Sequence, residues 1–208
     1  MTDRAAVANG LPDTGRVEAF SDGVVAIIVT IMVLELHPPV ADGLDRLWGL
    51  WPVFLAYLLS FAYVAIYWIN HHRLFAQATR ATNALIWSNM VLLFTLSLVP
   101  FSTAYLGEHH FSREATWLYL VTMILPAFAY SGLHAIITRT GRQDAPARRY
   151  YSLYARKGLA AVAVYALGMI LTAASPWAGI TCAALVALFW CLPTGRVDRL
   201  FAWGGQTA

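Results

Sequence analysis

The chain has 208 residues, of which 59% are hydrophobic and 12% charged, with a mean hydropathy of +0.59. Soluble domains carry roughly 25% charged residues, and a folded chain of this length still leaves roughly a quarter to a third of its surface outside. That composition excludes an ordinary water-soluble domain. The net charge of +3 does not point to nucleic acid, because the basic residues sit in short loops between apolar runs. Cys182 and Cys191 fall in one apolar run, and nine residues of helix rise ~13 Å, too far for a disulfide between them.

In chain order, residues 1–15 are polar and contain glycine and proline; they predict a cytoplasmic tail with no cleavable signal peptide. The first apolar run covers Val17 to Leu36 and stops at His37-Pro38-Pro39, since proline cannot continue a helix. Further runs cover Leu47 to Asn70, Asn83 to Leu106, Thr116 to Thr138 and Gly158 to Ala174. Ser175-Pro176-Trp177 turns into a sixth run that ends near Leu192-Pro193. Runs of about 18–20 apolar residues cross the bilayer core as helices, so the expectation is an all-α integral membrane protein with six transmembrane helices. They form one channel-sized domain over residues 16–194, with a cytoplasmic C-terminal tail over 195–208.

A six-helix count puts Arg4, Arg16, Arg73, Arg80, Arg139, Arg142, Arg148, Arg149, Arg156, Lys157, Arg196 and Arg199 on one side. Only Arg46 and Arg113 fall on the other. Positive-inside bias then places both termini in the cytoplasm of a cell (plasma) membrane protein. The segment from Arg139 to Lys157 reads as the longest polar loop, attracted to anionic lipid. Trp48, Trp51, Trp117 and Trp177 sit near membrane boundaries, as an aromatic belt does.

The first run opens on a polar cluster: Arg16, Glu18, Phe20, Ser21 and Asp22, then Gly23. An acidic side chain near the membrane is paired or faces protein interior. Ser21 and Asp22 point about 100° apart on a helix and serve different neighbours. Partners at the same level are Trp68, Asn70, His71 and His72 on the second helix and Asn83 and Asn89 on the third. Two readings stay open, a buried Ser–Asp–His–Asn network and side chains that snorkel to the interface. Downstream, Ile27, Ile31 and Leu34 recur at helical spacing on one face. Thr30 either faces a lumen or bonds the carbonyl of Ala26 or Ile27.

The run Arg16-x-x-x-Phe20-Ser21-Asp22-Gly23-Val24, leading into Ala26-Ile27-Ile28-Val29-Thr30-Ile31-Met32-Val33-Leu34-Glu35, resembles the opening of the lysosomal potassium channel family (transmembrane protein 175) and its prokaryotic single-repeat relatives. Ser60-Phe61, Trp68, His71-His72-Arg73-Leu74-Phe75, Asn89 and Pro100-Phe101-Ser102-Thr103 extend the likeness. It covers the first half of the chain; the last three helices match in number and hydropathy alone. Ser102 departs from the proline expected in many relatives. The resemblance implies a homotetramer without a glycine-rich filter, with the first helix lining the pore and K+ as permeant ion. Ile27, Ile31 and Leu34 would then form the constriction, with the Thr30 hydroxyl beside it. Arg16, Phe20, Ser21 and Asp22 would brace that helix through Trp68, His71 and Asn89.

The resulting expectation is a passive potassium-selective channel subunit, needing no cofactor, whose partners are its own copies, membrane lipid and permeant monovalent cations. The alternative is a proton- or ion-coupled transporter with Asp22 and His71 as relay. No pair of broken helices in corresponding halves supports it. An intramembrane enzyme finds no Gly-x-Ser-x-Gly, His-Glu-x-x-His or phosphate loop. Adjacent histidines (His71-His72 and His109-His110) point apart on a helix and lack further zinc ligands at tetrahedral spacing. His134 reads as a hydrogen-bonded interior residue, and Glu35 as the residue that ends the first span at the interface.

Overall fold

A computed structural model describes residues 13–39, 43–141 and 144–191. The expected tails lie mostly outside the described residues, as do Arg4, Arg142, Arg196 and Arg199. Among the described residues every regular element is helical. These are α1 (Gly15–Leu34), α2 (Leu44–Trp48), α3 (Trp51–Phe75), α4 (Asn83–Ser97), α5 (Val99–Glu108), α6 (Arg113–Thr140), α7 (Ala145–Thr172) and α8 (Pro176–Cys191).

Among the described residues five spans are long and apolar enough to cross a membrane: α1, α3, α4 with α5, α6, and the Tyr151–Thr172 part of α7. The sixth rod, α8, is apolar over 16 residues, or ~24 Å at the helical rise. The protein is thus a multi-pass, all-α membrane protein. Its exterior suits lipid, with Trp87, Phe94, Phe128, Leu159 and Leu188 all exposed.

Helix ends follow local chemistry. Pro38 disfavours helix at the residue before it, and α1 stops short of it at Leu34. The Thr82 hydroxyl accepts from Leu85 N–H and Ser112 from Ala115 N–H, capping α4 and α6. Pro52 and Pro176 sit in the first turns of α3 and α8, where a missing N–H costs nothing.

One expectation is refined and one corrected. The third span is broken at Leu98 into α4 and α5. Pro100 has no N–H to give the Leu96 carbonyl, and its ring crowds that oxygen. The stretch Arg139 to Lys157 is largely helix, since α7 begins at Ala145; a low hydropathy excludes lipid, not helix.

The bundle has two distinct ends. At one, Arg73 Nη1 donates to Tyr154 OH at 3.1 Å and Thr79 Oγ1 to the Thr140 carbonyl at 3.0 Å. At the other, Trp51, Phe111 and Trp177 stack in a triangle with centroids 4.9–6.0 Å apart. His110 and Phe111 hold φ of 50° and 57° there, unusual for residues with a Cβ. Between the ends, Leu85, Leu92, Leu96, Leu120, Met123 and Leu133 form the apolar core.

Candidate pore helix and its brace

α1 packs on α3, α4 and α5. Its buried residues are Ser21, Val25, Ile28 and Met32, one stripe at helical spacing. Only 17% of its apolar window is buried, against 44% for the third and fourth spans. α1 is therefore held by one narrow face and presents apolar side chains on the others.

That face carries a chain of hydrogen bonds. His71 Nε2 meets Asn89 Oδ1 at 2.8 Å, Asn89 Nδ2 donates to Ser21 Oγ at 2.9 Å, and Ser21 Oγ donates to the Val17 carbonyl at 2.8 Å. Because the Asn89 amide nitrogen is committed to Ser21, its oxygen accepts, so His71 donates from Nε2. All three side chains are buried, and burial makes a fully satisfied network strong and a broken one costly. His71 also stacks on Phe75, with centroids 4.3 Å apart.

Asp22 takes a different partner: its Oδ1 accepts from Trp68 Nε1 at 2.8 Å in an exposed setting. The expected four-membered network is accordingly two units, Ser21–Asn89–His71 and Asp22–Trp68. Adjacent residues on a helix diverge by about 100°, which sends Ser21 inward and Asp22 outward. Arg16 and Phe20 are exposed, and neither joins these bonds. Trp68 stacks on His72 at 6.2 Å.

The stripe Ile27, Ile31 and Leu34 is 58%, 41% and 71% exposed. It lies one residue, or about 100°, away from the buried stripe. Ile27 and Ile31 border a groove of about 620 Å3 between α1 and α5, floored by Pro100 and Ala104 and flanked by Phe101. Glu35 and Glu108 stand at its end. Thr30 is exposed, and its hydroxyl donates to the Ile27 carbonyl at 2.9 Å.

A second buried polar cluster was not foreseen. Thr103 Oγ1 lies 2.7 Å from Ser60 Oγ, which lies 3.1 Å from Tyr119 OH. It ties α5, α3 and α6 together. Ser60 and Thr103 stand among the residues that carry the family resemblance, but only three-dimensional proximity joins them to each other and to Tyr119. His109 and His110 are exposed and contact carbonyls of their own segment. Among the described residues no three potential metal ligands come together. His134 is buried, but its Nε2 finds no hydrogen-bond partner among the described residues, which corrects the satisfied interior residue expected of it.

Residues 16–100 match the family described as "Endosomal/lysosomal potassium channel TMEM175". A potassium channel of Chryseobacterium sp. is 39% identical over 186 residues, covering 89% of this chain and 96% of the relative. The chain belongs to the TMEM175 family. The crystal structure of a lysosomal potassium-selective channel TMEM175 homolog from Chamaesiphon minutus superimposes with a TM-score of 0.75 at 30% identity. It covers 85% of this chain and 95% of that one. The human member, named an endosomal/lysosomal proton channel, is 43% identical over 95 residues, which are 40% of this chain and 18% of that protein. Likeness to the TMEM175 family thus extends through the later helices in the prokaryotic relatives, beyond the first-half motifs that suggested it.

Proposed function

We propose that this chain is one subunit of a potassium-selective channel of the plasma membrane, and that it conducts passively as a homotetramer with α1 innermost. The observation that carries the reading is the match to a relative named a potassium channel along 96% of that relative's length. Residues 16–194 form the channel unit, with cytoplasmic tails before and after it. The clustering of basic residues at one set of loops supports that orientation.

Four copies of Ile27, Ile31 and Leu34 around an axis make stacked apolar rings, which gate by excluding water. Their exposure in the single subunit is what a lumen-facing stripe requires, and the thin burial of α1 leaves it free to meet its copies. Thr30 stands beside the rings. The Ser21–Asn89–His71 chain, with Asp22–Trp68 beside it, holds the helix in register against α3 and α4; Arg16 and Phe20 face outward for contacts beyond the subunit. A coupled transporter is disfavoured because Asp22 and His71, its relay, bond to different partners.

The test is flux from liposomes holding the purified protein, with K+, Na+ and a pH-sensitive dye for H+ read side by side. Wild type is expected to pass K+ in preference to Na+, and Ile27→Ala and Leu34→Ala to raise flux or erode selectivity. Liposomes tight to K+ for all three proteins would overturn the reading, and flux of H+ alone would replace the permeant ion.

A further inference from the structure

One exposed stripe runs down α7: Arg149, Ser152 and Arg156 continue into Leu159, Ala163 and Leu167. Steps of three and four residues keep side chains on one helical face. Leu159 and Leu167 are 72% and 49% exposed, so the lower half of the stripe meets hydrocarbon. Its upper half then stands at the level of the lipid headgroups. Contacts on the opposite side of α7 fix this rotation. Lys157 is buried, with its Nζ 5.4–5.9 Å from the rings of Tyr154, Phe189 and Trp190. Tyr154 OH also accepts from Arg73. Lys157 is thus turned inward and its neighbour Arg156 outward.

The charge on this stripe is poorly balanced by the chain itself. Asp144 is the only acidic residue between Glu114 and Asp198, a stretch that also holds Arg139, Arg148, Arg149, Arg156 and Lys157. The first turn of α7 carries no acidic side chain. A helix start favours anions and disfavours cations such as Arg148 and Arg149. Both are exposed, and among the described residues neither guanidinium has a hydrogen-bond or ion-pair partner. Side chains tilt toward the helix N-terminus, so Arg156 reaches up toward Ser152 and Arg149, its head toward water. Arg149 and Arg156 start ~10.5 Å apart along the axis. A single phosphate is too small to engage both levels, whereas two phosphates joined by a short polyol are not.

We propose that this stripe binds an anionic phospholipid bearing two phosphates, one held by Arg148 and Arg149 and the other by Arg156, with Ser152 between them. Guanidinium forks match phosphate oxygens two at a time, and basic clusters beside a membrane span draw anionic lipid. The acyl chains run down past Leu159, Ala163 and Leu167. A lipid with one phosphate fills one level and leaves the other empty. Free phosphate has no chains to lay against the apolar half. The site rests on membrane insertion alone and stands whether or not the chain conducts K+.

The purified full chain in detergent is titrated with cardiolipin, phosphatidylglycerol and inorganic phosphate, and bound lipid is counted by native mass spectrometry. Cardiolipin is expected to bind at about tenfold lower concentration than phosphatidylglycerol, and excess inorganic phosphate to leave it in place. The double variant Arg149→Gln with Arg156→Gln is expected to lose that preference. Arg80→Gln with Arg139→Gln removes as much charge from exposed positions off the stripe and is expected to keep it. Glutamine is as good a helix former as arginine, and a thermal midpoint without lipid equal to wild type shows the fold intact. If the midpoint falls, Arg149→Gln alone repeats the test and is expected to weaken the preference. Equal binding of the two lipids by wild type would overturn the proposal. So would equal loss in both double variants, the result of diffuse charge attraction, or displacement of cardiolipin by inorganic phosphate.

Discussion

Two buried polar knots hold this bundle, and they do different work. Ser21–Asn89–His71 joins α1 to α4 and α3, while Ser60–Thr103–Tyr119 joins α3, α5 and α6. The second is set among tightly packed spans, where Gly107 brings α5 so near α3 that a Cβ would come within 2.8 Å of Val53 Cα. Apolar contact already fixes those helices, and the hydroxyls add to it. The first ties down a helix with little else to hold it. A hydrogen bond of ordinary strength therefore matters in proportion to how little packing surrounds it. Interhelical bonds in membranes average only about 0.6 kcal/mol, so position decides their weight.

Asn89→Leu is the sharpest way to break that contrast. It leaves the buried His71 Nε2–H without an acceptor, at about 1–3 kcal/mol, while Ser21 keeps its bond to the Val17 carbonyl. Hydrogen-exchange mass spectrometry should show faster exchange across α1 and little change in α6. Uniform acceleration through the bundle would mean that the two knots are one cooperative unit. Thr103→Val is expected to cost about 1 kcal/mol, read as a modest fall in the thermal midpoint in detergent, with α1 exchange unaltered. Smallest should be Trp68→Phe, which removes the donor to Asp22 at an exposed site. Stability should move by no more than about 0.5 kcal/mol. Loss of oligomer on size exclusion would show instead that a neighbouring copy closes over this pair.

The first knot was legible in the sequence because its members are conspicuous: an asparagine, a histidine and a Ser-Asp pair interrupting apolar runs at one level. The divergence of Ser21 and Asp22 followed from helical geometry alone. The second knot was legible only in part: Ser60 and Thr103 belong to the resembling motifs, but Tyr119 is unremarkable in a membrane helix and only the fold brings the three together. Hydropathy likewise found the spans but misplaced the start of α7. Arg148, Arg149, Arg156 and Lys157 lower hydropathy, yet arginine, lysine, alanine and leucine all favour helix. Pro100 was visible, but an apolar run conceals a break because lipid preference and helical continuity are separate properties.

The break at Leu98 gives the two knots separate foundations. Asn89 sits on α4 and Thr103 on α5, so the third span is a jointed strut with one fastening on each segment. A push on α1 reaches α4 through Asn89 and then arrives at a joint lacking one of its backbone bonds. Because α1 also bears directly on α5 and α3, the joint separates the two fastenings of the third span without isolating either of them from α1.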